Sequence, residues 1–494
     1  MKERKEIIAF GAGEDSRKFI SFLKLHHNIQ FLADNDQKKQ GTSLDGYIIK
    51  SSAEIKDVDY DVVITTSKYA CEIKDQLQRE GISQKRLYYC RQFCIENELQ
   101  CEVCPVDEEE LKDTGIQLKN YDLYQLEEDE SACKKVLIFC IFFSTYAKQL
   151  IENILKRYKD IEFSLLTGTK NYQDQIATGC LKHIYYFRSM SDLKTILKQL
   201  PVYDAMQLLW IEWEWSFFYK LLRAKTMRLN LNVGGSDFYR TENSERIFRK
   251  NIIACADCIT AETEATVLEF GEYYGDNVKK KLSLLPFGIE VLEWIKQVEN
   301  IPLNVIKKKY HIPYNKIVIT CGHNAIEKHQ HIKMIEILEE LPEKIKEQAV
   351  FVFPMTYPQG YEAYISRVES KLKYSQLEYV ILTEFMDFKG MAEYALLSDI
   401  MIHVQETDQL SSTMLEEMYA GSIVIAGKWL PYGSLHEMGM YFIDVEDITH
   451  ITFYVENIIT HLDKYRDKCS VNREIIWKHS SWDVLAPKWH ALWA

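Results

Sequence analysis

Short apolar runs alternate with amphipathic stretches along almost the whole chain, and the rhythm starts afresh three times. Glu6–Phe10 runs into Gly11-Ala12-Gly13, Val136–Phe143 opens a second series, and Lys316–Cys321 opens a third that turns at Gly322-His323-Asn324. Runs of this length read as strands. Between them lie helical patterns, such as Phe19, Ile20, Phe22 and Leu23 gathered on one side. Strand and helix in alternation imply parallel sheets with right-handed crossovers, so the expected class is α/β. A chain of 494 residues has room for about three such domains.

In the first series, Ile29–Ala33 ends in Asp34-Asn35-Asp36, and Val58–Thr66 reads as a third strand, so residues 1–100 form a unit able to fold alone. Residues 101–134 break the rhythm. Their acidic runs, Asp107-Glu108-Glu109-Glu110 and Glu127-Glu128-Asp129-Glu130, read as a connector. The second series, 135–300, continues through Glu162–Leu166, Asp204–Trp210, Arg228–Val233, Cys258–Ala261 and Leu282–Pro286. Pro302 and Pro313 punctuate the join. The third, 301–475, takes Ala349–Pro354, Tyr379–Leu382, Ile400–Val404 and Ile423–Ala426 as its later strands. The tail, 476–494, is helical in pattern and rich in tryptophan, which suits it to packing across the body.

Charge narrows the partners. Sixty Lys+Arg against 73 Asp+Glu leave a net charge of −13, which argues against nucleic acid, because phosphate neutralisation needs a basic surface. The longest purely apolar run, Val136–Phe143, falls far below the ~20 residues that span a bilayer. Met1-Lys2-Glu3-Arg4-Lys5-Glu6 leads straight into a strand, so the cytosol is the expected compartment and the 12 cysteines are expected as free thiols. Cys90, Cys94, Cys101 and Cys104 offer four zinc ligands as an alternative, although their middle spacer is short for a zinc ribbon. Trp210, Trp213, Trp215, Phe217, Phe218 and Tyr219 lie beside Arg223, Lys225 and Arg228. They read either as core or as a surface for the membrane interface.

The densest chemistry lies at 403–427. A strand gives way to a polar loop, a helix starts near Ser411-Ser412-Thr413, and Gly421 ends it before the next strand. A helix start offers unpaired N–H groups and the positive end of the dipole, a natural seat for phosphate. Asp408 and Glu416 flank that seat, so one can bind sugar hydroxyls and the other ribose hydroxyls. The plainer alternative has Asp408, Ser411 and Ser412 capping a helix and Glu416 in solvent.

This stretch resembles the retaining glycosyltransferases of family 4, whose signature is an acid, seven residues, a Glu, then a Met and a small-residue turn ending in Gly. Asp408, Glu416, Met418 and Gly421 match it, with Asp where the family more often has Glu. The resemblance implies the two-domain GT-B architecture. It gives Glu416 the nucleotide's ribose, and Asp408 with Ser411, Ser412 and Thr413 the donor sugar and diphosphate. Gly322-His323-Asn324-Ala325-Ile326-Glu327-Lys328 is similar to the family's Gly-Arg…Glu-Lys segment, whose two cations clamp the diphosphate and stabilise the leaving group. Lys328 matches, while His323 stands where the family has Arg, so the clamp is weaker, pH-dependent or shared with Asn324. Asn232-Val233-Gly234-Gly235-Ser236-Asp237 resembles the Gly-Ser-Asp stretch of polysaccharide-assembling members. There the glycines let backbone approach a ligand, and Asp237 either faces the cleft or caps a turn. Leu285-Pro286-Phe287-Gly288-Ile289 is similar to the Pro-Asn-Gly turn near the domain join, with Phe replacing Asn. The family's His at the end of Asp204–Trp210 is missing, which leaves Gln207, Glu212 or Glu214 as substitutes.

The first series carries a second ligand signature. Gly11-Ala12-Gly13 follows a strand and opens a helix, and Asp34 ends the next strand, the placing of a dinucleotide site, although Ser16 replaces the third glycine. It resembles the small Rossmann-like domain attached to bacterial sugar acyltransferases. It reads either as a nucleotide site or as a degenerate scaffold.

The expectation is therefore three Rossmann-like units, the last two forming a GT-B pair with a cleft between them. The expected activity moves a sugar, with retention, from a nucleotide-sugar to a surface-glycan or lipid-linked acceptor in capsule, O-antigen or polysaccharide synthesis. The site would lie at the inner face of the membrane if contact with it occurs. Asp408, Lys328 and Asp237 are the expected catalytic residues. Glu416, Ser411, Ser412, Thr413, His323, Asn324 and Gly322 are the expected donor contacts, and Gly11, Gly13 and Asp34 a separate nucleotide-binding set. No metal and no cofactor beyond the donor are expected. A sugar-nucleotide epimerase, a non-catalytic scaffold of a glycan-assembly complex and an NAD-dependent oxidoreductase are the rival readings.

Overall fold

The structure is a computed structural model that describes residues 4–66, 69–97, 133–141, 143–168, 181–188, 190–212, 215–241, 243–358, 360–408 and 410–493. The connector read over 101–134, with Cys101 and Cys104, lies almost wholly outside the described residues, as do Trp213 and Glu214.

Three sheets form, one from each series. The first contains β1 (Glu6–Phe10), β2 (Asn28–Ala33), β3 (Ser43–Leu44), β4 (Tyr47–Lys50), β5 (Asp61–Ile64) and β6 (Leu87–Tyr89), in the order β3-β4-β2-β1-β5-β6. Only the β3–β4 pairing is antiparallel. The second contains β7 (Lys134–Cys140), β8 (Ile161–Thr167), β9 (Ile184–Tyr186), β10 (Tyr203–Leu209), β11 (Thr226–Val233), β12 (Cys258–Ala261) and β13 (Leu282–Leu284), ordered β13-β12-β11-β10-β7-β8-β9. The third contains β14 (Ile317–Cys321), β15 (Ala349–Pro354), β16 (Tyr379–Leu382), β17 (Ile400–His403), β18 (Ile423–Gly427) and β19 (Ile443–Val445), ordered β16-β15-β14-β17-β18-β19 and parallel throughout. The central strands are buried on both faces, which explains their unbroken apolar runs.

In the second and third sheets the order reverses beside the first strand of the series, between β7 and β10 and between β14 and β17. The chain leaves those neighbouring strands in opposite directions, so their carboxyl ends open a crevice.

The described residues divide into two compact units. One holds the first two sheets, up to Ala261, with 266–283 and Trp493, and the other holds 262–265 and 284–492 with the third sheet. Within the first unit a single buried cluster runs from Ile7 and Ala9 to Leu137 and Leu208. Residues 284–300, read above with the second series, pack with the third. The helix Val291–Val298 buries Val291, Leu292, Ile295 and Val298 against the helix Phe388–Ala395. The third strand of the first series is shorter than Val58–Thr66 because Arg86 takes the carbonyls of Val58 and Tyr60. The tail is two helices, Asn472–Ser480 and Trp482–Trp493. Trp489 stacks on Phe287 and donates to the Pro286 carbonyl at 3.0 Å, so that turn serves packing. Among the described residues no helix is long and apolar enough to cross a membrane.

Of the aromatic cluster, Trp215 and Phe218 are core, and Phe217 and Tyr219 pack half-buried against it. Trp215, Phe218 and Leu222 form the buried stripe of the helix Trp215–Ala224, with Trp215 against Phe139. The nearby cations engage backbone: Arg223 donates to Thr226 and Met227, and Lys225 to Lys198 and Leu200. Cys90 and Cys94 are likewise buried in the first unit's core.

Candidate active site

At the reversal point of the third sheet, β14 and β17 are parallel neighbours with Cys321 opposite Ile402. Gly322 follows β14 with φ +69°, and its amide donates to the Ile402 carbonyl at 3.1 Å. A Cβ there would lie 2.7 Å from His331 Nε2 and 3.3 Å from His329 Nδ1, so both conformation and space require glycine.

Four imidazoles surround this turn. His323 stacks on His403 at 5.5 Å and meets His329 edge-on at 4.3 Å, and His329 lies 5.6 Å from His331. The Nδ1 atoms of His323, His329 and His403 and the Nε2 of His331 are enclosed and have no hydrogen-bond partner among the described residues. Burial, then the neighbouring histidines, hold His329 down to about 3, and burial does the same to His331. His323 is held well below its ordinary range by burial and then by His329, His403 and His331. These three rings are neutral at pH 7.

Asp408 is tied into the same cluster. Tyr432 donates its hydroxyl proton to Asp408 Oδ2, so His403 Nε2 must donate to Tyr432 Oη, 2.8 Å away. The loop holding Asp408 is pinned to the 322–330 segment from both sides. The Glu406 amide donates to the Lys328 carbonyl at 2.9 Å, and Gln330 Nε2 donates to the Val404 carbonyl at 2.6 Å. Lys328 itself is exposed, and among the described residues its ammonium has no carboxylate partner.

The helix Ser412–Ala420 starts beside this loop. Ser411 caps it, accepting the Met414 amide at 3.1 Å, and Gly421 ends it at φ +109°. The amides of Ser412 and Thr413 have no acceptor among the described residues, which leaves the phosphate-binding character of the helix start intact. Glu416, 4 % exposed, has no hydrogen-bond partner among the described residues. Burial, with Glu417 adding, pushes it up to about 8. Glu417 is also pushed up to about 8 by burial, against hydrogen bonds from Ser398, Ser422 and Thr320. Tyr357 closes the circle. Although it shows a face to solvent, the surrounding protein raises its phenol, as do Glu416 and Asp408, while a hydrogen bond with Asn324 acts the other way. Asn324 also caps its own turn by accepting the Ile326 amide at 2.9 Å.

Gly322, His323, Asn324, Asp408, Ser411, Ser412, Thr413 and Glu416 therefore gather at one reversal point, with the Lys328 backbone beside them. His329, His331, His403, Tyr357, Tyr432 and Glu417 belong to the same place and were missed from sequence. The signal was present: His403 ends a strand already read, and three histidines crowd positions 323–331.

The other predicted residues have local duties. Asp237 is buried, and its Oδ2 accepts the Ile211 amide at 2.7 Å while its carbonyl accepts from Arg249. Burial raises its carboxyl, against Ile211 and Arg249. A Cβ on Gly234 would lie 2.1 Å from Trp210 Nε1, so that glycine admits an indole and not a ligand. Gln207 is fully buried and accepts from Trp493 Nε1 at 3.3 Å. In the first sheet, Gly11 turns at φ +113°, and Asp34 accepts the amides of Ala12 and Asp36 and pairs with Lys39 at 3.1 Å. Burial works against the charge on Asp34, but these bonds outweigh it and lower the carboxyl. Gly13 precedes the helix Glu14–His26 with no side-chain cap. Asp34 thus fastens the glycine loop to β2. Among the described residues no group of three or more His, Cys, Asp or Glu is placed to hold a metal ion.

Residues 3–88 match a family described as C2185-like, N-terminal. No curated protein matches the sequence. Solved structures do resemble it. A glycosyltransferase from Rickettsia africae aligns at TM-score 0.60 and 14 % identity, covering 73 % of this chain and 98 % of its own. Sucrose-phosphate synthase from Thermosynechococcus elongatus aligns at 0.57 and 12 %, with the same coverages. HepE of Anabaena in complex with UDP-glucose aligns at 0.53 and 14 %, covering 72 % and 98 %. At these identities the likeness speaks for the fold alone, an α/β arrangement of parallel sheets that this chain shares with those structures.

Proposed function

We propose that this chain is a glycosyltransferase that moves a sugar, with retention, from a nucleotide-sugar donor to a surface-glycan or lipid-linked acceptor in polysaccharide assembly. The observation that carries the reading is the placement of Glu416. It is a nearly enclosed carboxyl without a hydrogen-bond partner among the described residues, beside an open helix start and Asp408, where the third sheet reverses its order. Buried polar groups are normally satisfied, so such a group is suited to a polar ligand. The fold type supports the reading, and so does HepE, whose complex holds UDP-glucose.

Glu416 would bind ribose hydroxyls, and the Ser412 and Thr413 amides the diphosphate. Asp408, oriented by Tyr432, would hold the sugar. Lys328 and the His323 turn would face charge developing on the leaving diphosphate. As the bond from the sugar's anomeric carbon to oxygen breaks, its electron pair stays on that phosphate oxygen, the acceptor oxygen forms the new bond to the carbon, and the acceptor's hydroxyl proton passes to the departing phosphate oxygen. In the first sheet, Asp34 already serves its own loop, so Gly11, Gly13 and Asp34 are assigned a scaffold role.

Incubation with UDP-, GDP-, dTDP- and CMP-sugars and a glycan acceptor, followed by product analysis, tests the reading. Free nucleotide with extended glycan is expected, and Glu416→Ala should lower kcat/KM by roughly a hundredfold or more. An isomerised sugar nucleotide would identify an epimerase instead. Unchanged output from Glu416→Ala would point to a scaffold.

A further inference from the structure

A diphosphate diester carries two negative charges at neutral pH, and a site that encloses it must supply compensating charge. The seat described above is short of it. Lys328 is its exposed cation, and the other basic side chains at the turn are the imidazoles of His323, His329, His331 and His403, packed ring to ring. Four rings with four enclosed, unpartnered nitrogens are an uncommon choice for a core, where polar atoms are normally satisfied. His323 differs from the others in being half-buried as a residue, although its Nδ1 is enclosed.

The groups facing His323 can be named from every side. His403 and Asp408, joined through Tyr432, come from the end of β17 and the loop that follows. His329 and His331 follow on its own segment, His331 sharing a hydrogen bond with Tyr364 at 3.2 Å. Asn324 and Tyr357 border Glu416, while Lys328 and Glu327 are exposed beyond them. In the empty-handed protein His329, His403 and His331 all disfavour a proton on His323. A diphosphate oxygen beside the ring would reverse that balance, because opposite charge favours the ionised form.

We infer that His323 is a proton-acquiring contact for the donor diphosphate, so that the nucleotide-sugar binds together with a proton drawn from solvent. This rests on the transferase reading above and adds to it: where a fixed cation at this position would add no pH dependence of its own, His323 makes the seat bind more tightly as pH falls. The imidazolium then stands ready at the leaving diphosphate as the sugar departs. His403, held by Tyr432 and Asp408, is the ring against which the protonated His323 stacks, and it acts as a positioning residue.

Titration calorimetry of the full chain tests this, using the tightest binder among UDP-, GDP- and dTDP-glucose. The diphosphate of these esters holds its two charges throughout the neutral range, so proton exchange reports on the protein. In two buffers of different protonation enthalpy, uptake approaching one proton per ligand is expected near pH 7, with affinity rising up to about tenfold per pH unit from pH 8 to 6. His323→Arg should bind with proton uptake sharply reduced and with a shallower pH dependence, what remains coming from Glu416 near pH 8. His323→Asn should bind weakly and without the pH slope. Binding of the wild-type chain without proton uptake would overturn the inference and leave the transferase reading standing, as would uptake that is undiminished in His323→Arg. Binding of none of the three at any pH in the range would overturn both.

Discussion

Gly322 carries the sharpest steric demand at the site. Its φ of +69° and the 2.7 Å that a Cβ would leave to His331 Nε2 make Gly322→Ala a test of how tightly the histidines are packed. A loss of about 1–3 kcal/mol in urea unfolding is expected. An unchanged midpoint would mean that the turn relaxes freely. At this scale the sequence was informative about chemistry that follows a linear signature. Asp408, Ser411 and Glu416 are legible because loop, cap and helix are consecutive. The Asp408–Tyr432–His403 chain is not, because Tyr432 lies 24 positions beyond Asp408 and only the sheet brings it back. Asp237 and Gly234 show the converse: their sequence context points to a ligand, while tertiary packing gives one the Ile211 amide and the other the Trp210 ring.

The helix Ser412–Ala420 is the element on which the site depends. Ser411→Ala removes the Met414 cap and should cost about 1 kcal/mol in chemical unfolding, whereas Ser411→Asn should restore it. Beneath the helix, Ser422 Oγ lies 2.7 Å from the Ser398 carbonyl and 3.1 Å from Glu417 Oε2. The single Ser422 hydroxyl proton is shared between these two acceptors, and it is burial that keeps Glu417 protonated against that contact. The sign of the pH effect follows. Glu416 and Glu417 keep their protons to about 8 when folded but release them in the ordinary carboxylate range when unfolded. Their stabilising contribution is complete below that range and is lost as pH rises to about 8, at up to ~1.4 kcal/mol per pH unit for each group. The melting temperature of wild type should therefore fall from pH 5 to 8, and Glu417→Gln should flatten the slope. A wild-type Tm that rises over that interval would contradict the assignment. The central strands of the sheets were legible because burial on both faces makes them continuous apolar runs. The edges β9 and β19 and the β3–β4 hairpin were not, since two to four residues offer too little pattern.

Across the molecule, the three-fold restart of the strand–helix rhythm was readable, and the place where one unit yields to the next was not. The helix Val291–Val298 shows why: its apolar stripe is plain in sequence, but nothing in a stripe tells which sheet will cover it. The first two sheets share one buried cluster, with Tyr89 against Phe217. Removal of residues 1–97 should therefore expose apolar surface and promote self-association, read by light scattering, while the donor seat on the third sheet stays intact. The central claim is that this seat, and not the glycine turn of the first sheet, holds the nucleotide-sugar. Hydrogen–deuterium exchange with and without the tightest-binding sugar nucleotide measures it most directly. Slowed exchange over 322–330 and 404–416 is predicted. Protection confined to the Gly11–Gly13 loop and the helix after it would contradict the account.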